Sequence, residues 1–179
     1  MKRILLISGK ARSGKDSVAN FLKQKLDGKV LIIHNADYLK YMCQQYLGWD
    51  GKKGEQGRQL LQFLGTEKVR LGMNKPLFWV DKTCEVIDIL KDDFDYFAVP
   101  DTRFRNEIYY PQARFPGLVT TIKVVRSHFE NDLTPEQKNH LSEIDLEYFP
   151  HDYIIESESG LDNLEKEVDY FIEEYNISH

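Results

Sequence analysis

Apolar positions fall along the chain in two alternating rhythms. Short continuous runs read as buried strands: Arg3-Ile4-Leu5-Leu6-Ile7, Lys29-Val30-Leu31-Ile32-Ile33-His34, Phe94-Asp95-Tyr96-Phe97-Ala98-Val99, Leu118-Val119-Thr120-Thr121-Ile122-Lys123-Val124-Val125 and His151-Asp152-Tyr153-Ile154-Ile155-Glu156. Between them the apolar residues recur at helical spacing. That spacing predicts helices over Val18 to Leu26, Ala36 to Leu47 with Asn35 as N-cap, Glu55 to Leu71, Leu77 to Leu90, and Gly160 to Tyr175. Leu60, Leu61, Leu64 and Val69 are the expected buried side of the third of these. A helix from Arg105 to Phe115 is expected to break at Pro111, or to start twice. The stretch from Arg126 to Asp145 is polar and carries little apolar periodicity. Strands alternating with helices imply right-handed crossovers and a parallel sheet covered on both faces. The expected class is therefore α/β, three layers around a five-stranded parallel sheet.

The first strand runs into Gly9-Lys10-Ala11-Arg12-Ser13-Gly14-Lys15-Asp16-Ser17, and a helix follows at once. Strand, glycine-bounded loop and helix is the context of a phosphate-binding P-loop. Gly9 and Gly14 permit backbone angles that other residues resist. The amides of Ala11, Arg12, Ser13 and Gly14 and the helix N-terminus then point at an anion. Lys15 adds a positive charge that reaches the outer phosphates. Asp16 stands where a magnesium-binding hydroxyl is expected, with Ser17 one place later. Asp16 either holds magnesium, directly or through water, or is simply an acidic residue in a helix's first turn.

Composition changes this picture little. The chain has 179 residues, 41% hydrophobic and 30% charged, which suits one domain with a sizeable core. A net charge of -5 argues against a general nucleic-acid binder while leaving room for a nucleotide site. Cys43 and Cys84 are too few and too far apart for a disulfide framework or zinc cluster, and read as free thiols of a reducing cytoplasm. The N-terminal apolar run is too short for a signal peptide, and none approaches membrane-spanning length.

Ligands of parallel sheets sit at the carboxyl ends of the strands. The glycine loop, Asp37, the triplet Asp101-Thr102-Arg103, Arg126 and the loop after Glu156 all lie there by this reading. Asp101 is placed to serve a magnesium shell or orient an attacking oxygen, or else is a turn residue. Arg103 and Arg105 are candidates to bridge donor and acceptor phosphates, Arg103 the better placed. Residues 36–83 form a helical insertion whose cations are Lys52, Lys53, Arg58 and Arg70. At least one of these cations is expected to grip a phosphorylated acceptor, with Arg58 and Arg70 as the candidates, while any single one of the four is more commonly solvated. Asp37 either accepts from its sugar or base or serves its own helix N-terminus. Trp79, Phe78 and Tyr41 are open to base stacking or, more commonly for aromatics, core packing. Residues 126–143 are read as a short lid with Arg126, Lys138, His128 and His140. The segment His140-Leu141-Ser142-Glu143 is either its hinge or a helix cap.

The loop with Asp after its lysine resembles that of phage deoxynucleoside monophosphate kinases and animal-type phosphomevalonate kinases. Three further stretches resemble the phage family in the same order: Arg58-Gln59-Leu60-Leu61-Gln62-Phe63-Leu64-Gly65-Thr66, Tyr96-Phe97-Ala98-Val99-Pro100-Asp101-Thr102-Arg103 and His140-Leu141-Ser142-Glu143. The tail from Asp152 to Leu164 is similar to the loop that borders adenine in this kinase group. The resemblance implies a P-loop kinase of the nucleoside monophosphate kinase type using ATP and magnesium. Lys15 and Arg12 would hold donor phosphates, Asp16 or Ser17 the metal, Arg58 the acceptor, and Arg103 the transfer point. Two departures accompany it: a shorter chain with a reduced insertion, and a lid poor in arginine. The expectation is one cytoplasmic domain, monomer or homodimer, without membrane or polymeric nucleic-acid partners. It transfers the ATP γ-phosphoryl group to a (deoxy)nucleoside monophosphate. Phosphomevalonate is a weaker acceptor choice, and a nucleotide-binding regulatory module without efficient transfer is the rival.

Overall fold

The computed structural model describes residues 1–52, 54–127, 134–158 and 160–175. Five strands, β1 (Arg3–Ser8), β2 (Val30–Ile32), β3 (Tyr96–Thr102), β4 (Val119–Arg126) and β5 (Tyr153–Ser157), form one sheet in the order β2-β3-β1-β4-β5. Every pairing is parallel. The apolar runs of β1 and β3 are continuous because both faces are covered. Leu5, Ile7 and Ala98 pack on α1 (Lys15–Lys25) and, across β5, on α8 (Leu161–Glu174). Ile4, Leu6, Phe97 and Val99 face the other way, onto Val80, Cys84 and Ile87 of α4 (Phe78–Leu90) and Ile108 of α5 (Asn106–Arg114). A third, smaller core lies within the insertion, where Leu39, Cys43, Leu64, Val69 and Trp79 close on one another. Both cysteines are free and buried.

Several expected boundaries move, each for a physical reason. β3 does not stop at Val99 but continues through Pro100 and Asp101 to Thr102. Leu6 pairs with Val99 and Ser8 with Thr102, so β3 carries one extra residue there. This bulge accommodates a proline, which has no amide to donate, inside a central strand. α5 is continuous across Pro111, against the expected break. Pro111 is its sixth residue, so the proline removes a hydrogen bond only from the early turns.

The insertion begins with α2 (Asp37–Tyr46), and Asn35 is not its N-cap. The Asn35 amide instead donates to Asp101 Oδ1 (2.8 Å), and Asp37 Oδ2 accepts from the His34 amide (2.9 Å). The expected single helix from Glu55 to Leu71 is α-helical only as α3 (Glu55–Gln62), then π-helical over Phe63–Gly72. In that widened coil the Gly65 carbonyl accepts from Trp79 Nε1 (2.9 Å) and Arg70 Nη1 (3.1 Å), side chains competing with the helical ladder. Leu64 and Val69 are buried as expected, whereas Leu60 and Leu61 are half-buried. The polar stretch before β5 holds two short helices, α6 (Pro135–Lys138) and α7 (Leu141–Ile144). Among the described residues no helix is long and apolar enough to cross a membrane.

Candidate active site

The glycine loop leaves β1 on backbone angles that need glycine at both ends. Gly9 has φ +148°, and a Cβ there would lie 2.4 Å from the Val124 carbonyl oxygen. Gly14 has φ +99° and begins α1. Arg12 also adopts positive φ, 62°, an uncommon conformation for a residue with a side chain. Lys15 is buried and folds back so that its Nζ donates to the carbonyls of Gly9 (2.8 Å) and Lys10 (2.7 Å). Burial, with the nearby Arg103 charge, lowers its pKa to about 8, against the pull of Glu143, Asp16 and Asp101. An ammonium desolvated in this way gains from an anion placed in the loop.

Two cavities meet over this lysine. One, of about 450 Å³, lies between the loop, the end of β3 and the insertion. Arg58, Gln62, Thr66, Trp79, Asp101 and Arg103 are part of its wall. The other, of about 380 Å³, runs from the first turn of α1 to Arg126, Ser157 and Gly160 at the mouth of β4 and β5. Arg12, Lys15 and Asp16 line both.

The charged groups of the first cavity are cross-braced. Asp101 accepts from the amides of Asn35 (2.8 Å) and Ala36 (3.0 Å), so its carboxylate holds the turn after β2. The half-buried Arg70 meets the buried Glu107 at 2.5 Å, and its guanidinium lies 4.3 Å from the centre of the Phe104 ring. Glu107 also accepts from the amides of Arg103 (2.7 Å) and Phe104 (3.2 Å). Burial pushes the Glu107 carboxyl up to about 7, opposed by the Arg70 charge and those amides. Burial likewise lowers Arg70, against the Glu107 charge. Arg103 donates to the Ser142 carbonyl (3.2 Å) and pairs with Glu143 on α7. The α7 segment is pinned again where His140 Nε2 donates to Glu67 Oε1 (3.0 Å). Arg58 is half-buried, and its guanidinium makes no hydrogen bond or ion pair among the described residues. Asp16 is largely exposed, on the first turn of α1.

A model of the family described as deoxynucleotide monophosphate kinase matches residues 37–168. The chain belongs to that family. The deoxynucleotide monophosphate kinase of Escherichia phage RB69 is 32% identical over 113 residues, covering 63% of this chain. The match spans 43% of the phage enzyme's length. The dephospho-CoA kinase of Campylobacter jejuni superposes with a TM-score of 0.56 at 17% identity, over 98% of this chain and 97% of its own. The shikimate kinase of Aquifex aeolicus gives 0.54 at 15% identity, over 98% and 99%. At such identities the likeness is one of fold: this family member has the three-layer α/β architecture of P-loop kinases.

The structure gathers some expected residues and redirects others. Arg12, Lys15, Asp16, Arg58, Arg70, Asp101 and Arg103 line the first cavity. Ser13, Gly14, Ser17 and Arg126 line the second. Asp37 is on the wall of neither; its carboxylate is taken by His34 and by Lys40 (3.3 Å). Trp79 is core as well as wall, Phe78 packs edge-on against it, and Tyr41 stacks on Tyr38 at the surface. His140 caps α7, accepting from the Ser142 amide (3.2 Å). Arg105 is turned to Asp145, and Lys52 to Asp50. Lys53 and His128 lie outside the described residues.

His34, Glu107 and Glu143 were not among the expected site residues. His34 closes an apolar strand, which is a weak signal for the rim. Glu107 reads as an ordinary first-turn acid, and nothing local announces that it is buried.

Proposed function

We propose that this protein transfers the ATP γ-phosphoryl group to a nucleoside monophosphate, most naturally a deoxynucleoside monophosphate. The observation that carries the reading is that two cavities share one phosphate cradle. A donor whose base lies toward Arg126 and Gly160 and an acceptor under Arg58 would meet above Lys15. Family membership supports the same acceptor class.

In this reading Lys15 and Arg12 neutralise the donor phosphates, with the amides of the loop from Gly9 to Gly14. Arg103 bridges donor and acceptor, and Arg126 borders the donor side. Arg58, with no ionic partner among the described residues, grips the acceptor phosphate. Arg70 acts at one remove, bracing Glu107 and Phe104 behind the acceptor. Phosphoryl transfer asks mainly for positioning and charge neutralisation. Residues 36–83 would receive the acceptor, with the described part of the 126–143 segment beside it.

The donor set fits magnesium. The ion ordinarily takes one or two protein oxygens and leaves the rest to phosphate and water. Asp16 and Ser17 present a carboxylate and a hydroxyl beside Lys15, and Asp101 lies across the cavity. When bound, the ion would neutralise charge on the transferring phosphates.

One observation favours the rival, a nucleotide-binding module without efficient transfer. The α6–α7 segment brings Gln137, Ser142 and Glu143 to the cavity, and Glu143 already occupies Arg103. A coupled ADP-release assay across nucleoside and deoxynucleoside monophosphates, with phosphomevalonate included, separates the readings. Acceptor-dependent ADP that disappears in K15A supports the kinase. Tight ATP binding with no acceptor response supports the module.

A further inference from the structure

We propose that His34 is a positioning residue for divalent-ion binding, holding the Asp16 carboxylate in place and tying it to the acceptor-binding insertion. This rests on the phosphoryl-transfer reading above. His34 follows β2, directly across the first cavity's rim from the glycine loop. Its Nε2 donates to Asp16 Oδ1 (3.3 Å), and its Nδ1 lies 3.5 Å from Asp37 Oδ1 at the start of α2. Both ring nitrogens thus face carboxylates, with Nε2 hydrogen-bonded to Asp16 and Nδ1 turned to Asp37.

The turn that carries the ring is fixed by three successive amides. His34 N donates to Asp37, and Asn35 N and Ala36 N donate to Asp101. The side chain is three-quarters buried, while Asp16 keeps an exposed flank on the cavity side. A carboxylate on an exposed helical turn loses rotamer freedom when it captures a cation. A histidine that has already fixed it removes part of that cost, as outer partners of metal ligands generally do.

The arrangement also joins two parts of the machine. Asp16 belongs to the phosphate loop and Asp37 to the insertion, twenty-one residues apart. His34 lies between them, so the ring fixes the divalent-ion ligand relative to the acceptor site.

The test uses Mn²⁺ as the probe, followed by electron paramagnetic resonance of the free ion in the presence of the full chain and ATP. His34→Ala should weaken Mn²⁺ binding to the protein–ATP complex by about tenfold or more. ATP affinity measured in EDTA should stay at the wild-type level. His34→Gln retains an amide donor toward Asp16 and should recover most of the Mn²⁺ affinity. In an Asp16→Asn background His34→Ala should cost little further, because the two residues act as a unit.

Unchanged Mn²⁺ binding in His34→Ala overturns the proposal. So does an equal loss of ATP affinity in EDTA, which would mark a merely structural role, or full additivity with Asp16→Asn. Wild-type protein that binds no ATP at all would instead fail the functional reading itself. Wild-type transfer with an indifferent His34 variant fails this inference alone.

Discussion

Replacing Arg70 by alanine probes the ion pair in the wall of the first cavity. Arg70 is 11% exposed in its side chain and Glu107 2%, with 2.5 Å between the charged atoms. Truncation leaves Glu107 with the Arg103 and Phe104 amides but no cation, and strips the guanidinium from the Phe104 ring and the Gly65 carbonyl. Removing one partner of a buried pair costs about 3–5 kcal/mol. For a chain of this size that is a fall in Tm of roughly 6–20 °C.

The cost depends on pH, because Glu107 can shed its charge. Its folded pKa already stands near 7, above the ordinary 4.5, and losing Arg70 moves it further up. A carboxyl raised on folding contributes its full stability below the unfolded value and loses it as pH rises through the folded one. The R70A deficit relative to wild type is therefore larger at about pH 8 than at about pH 6. Paired urea denaturation at both pH values measures it, and differences against wild type cancel groups common to both proteins. R70A made in an E107Q background should cost less than R70A alone. A deficit under about 1 kcal/mol at the higher pH, or one that does not shrink on acidification, refutes the argument.

Arg58→Ala should raise the acceptor KM at least tenfold or so, on the scale of a lost charge-assisted contact, while ATP affinity and Tm hold. Steady-state kinetics with calorimetric ATP titration checks this, and a large Tm change contradicts it. ATP affinity should fall as pH rises through about 8, where the unliganded Lys15 loses its proton. The slope should approach about tenfold per pH unit, with proton uptake visible in buffers of different ionisation enthalpy. Gly9→Ala should cost about 1–3 kcal/mol, because its methyl meets a backbone carbonyl that cannot swing aside. It should also abolish ATP binding; thermal melts and titration together decide this.

Residues whose role depends on neighbours in sequence were legible before the fold. Strand, glycine loop and helix from Arg3 to Lys25 are contiguous, so the cradle and its lysine could be read from order alone. The family resemblance rested on local strings too, and the three beyond the glycine loop lie within the match over 37–168. Asp101 and Arg103 were placed at the rim because a strand end is a local feature. What those side chains do there was hidden: Asp101 holds amides 65 and 66 residues away, and Arg103 is occupied by a glutamate 40 residues on. Pro111 misled because a proline's effect depends on how far into the helix it falls. The π-helical stretch was not visible because its cause, Trp79 and Arg70 reaching the Gly65 carbonyl, is tertiary.

By itself the sequence determined the strand–helix alternation, the phosphate loop and the charges available to it. Periodicity and glycine placement are properties of the backbone and act within a few residues. Only the tertiary structure decided which charges are spent on one another and which remain for a ligand. It set Arg70 against Glu107 and Asp37 against His34, and left Arg58 without an ionic partner among the described residues. Burial and Coulomb energy depend on distance through space, and chain spacing does not carry that distance.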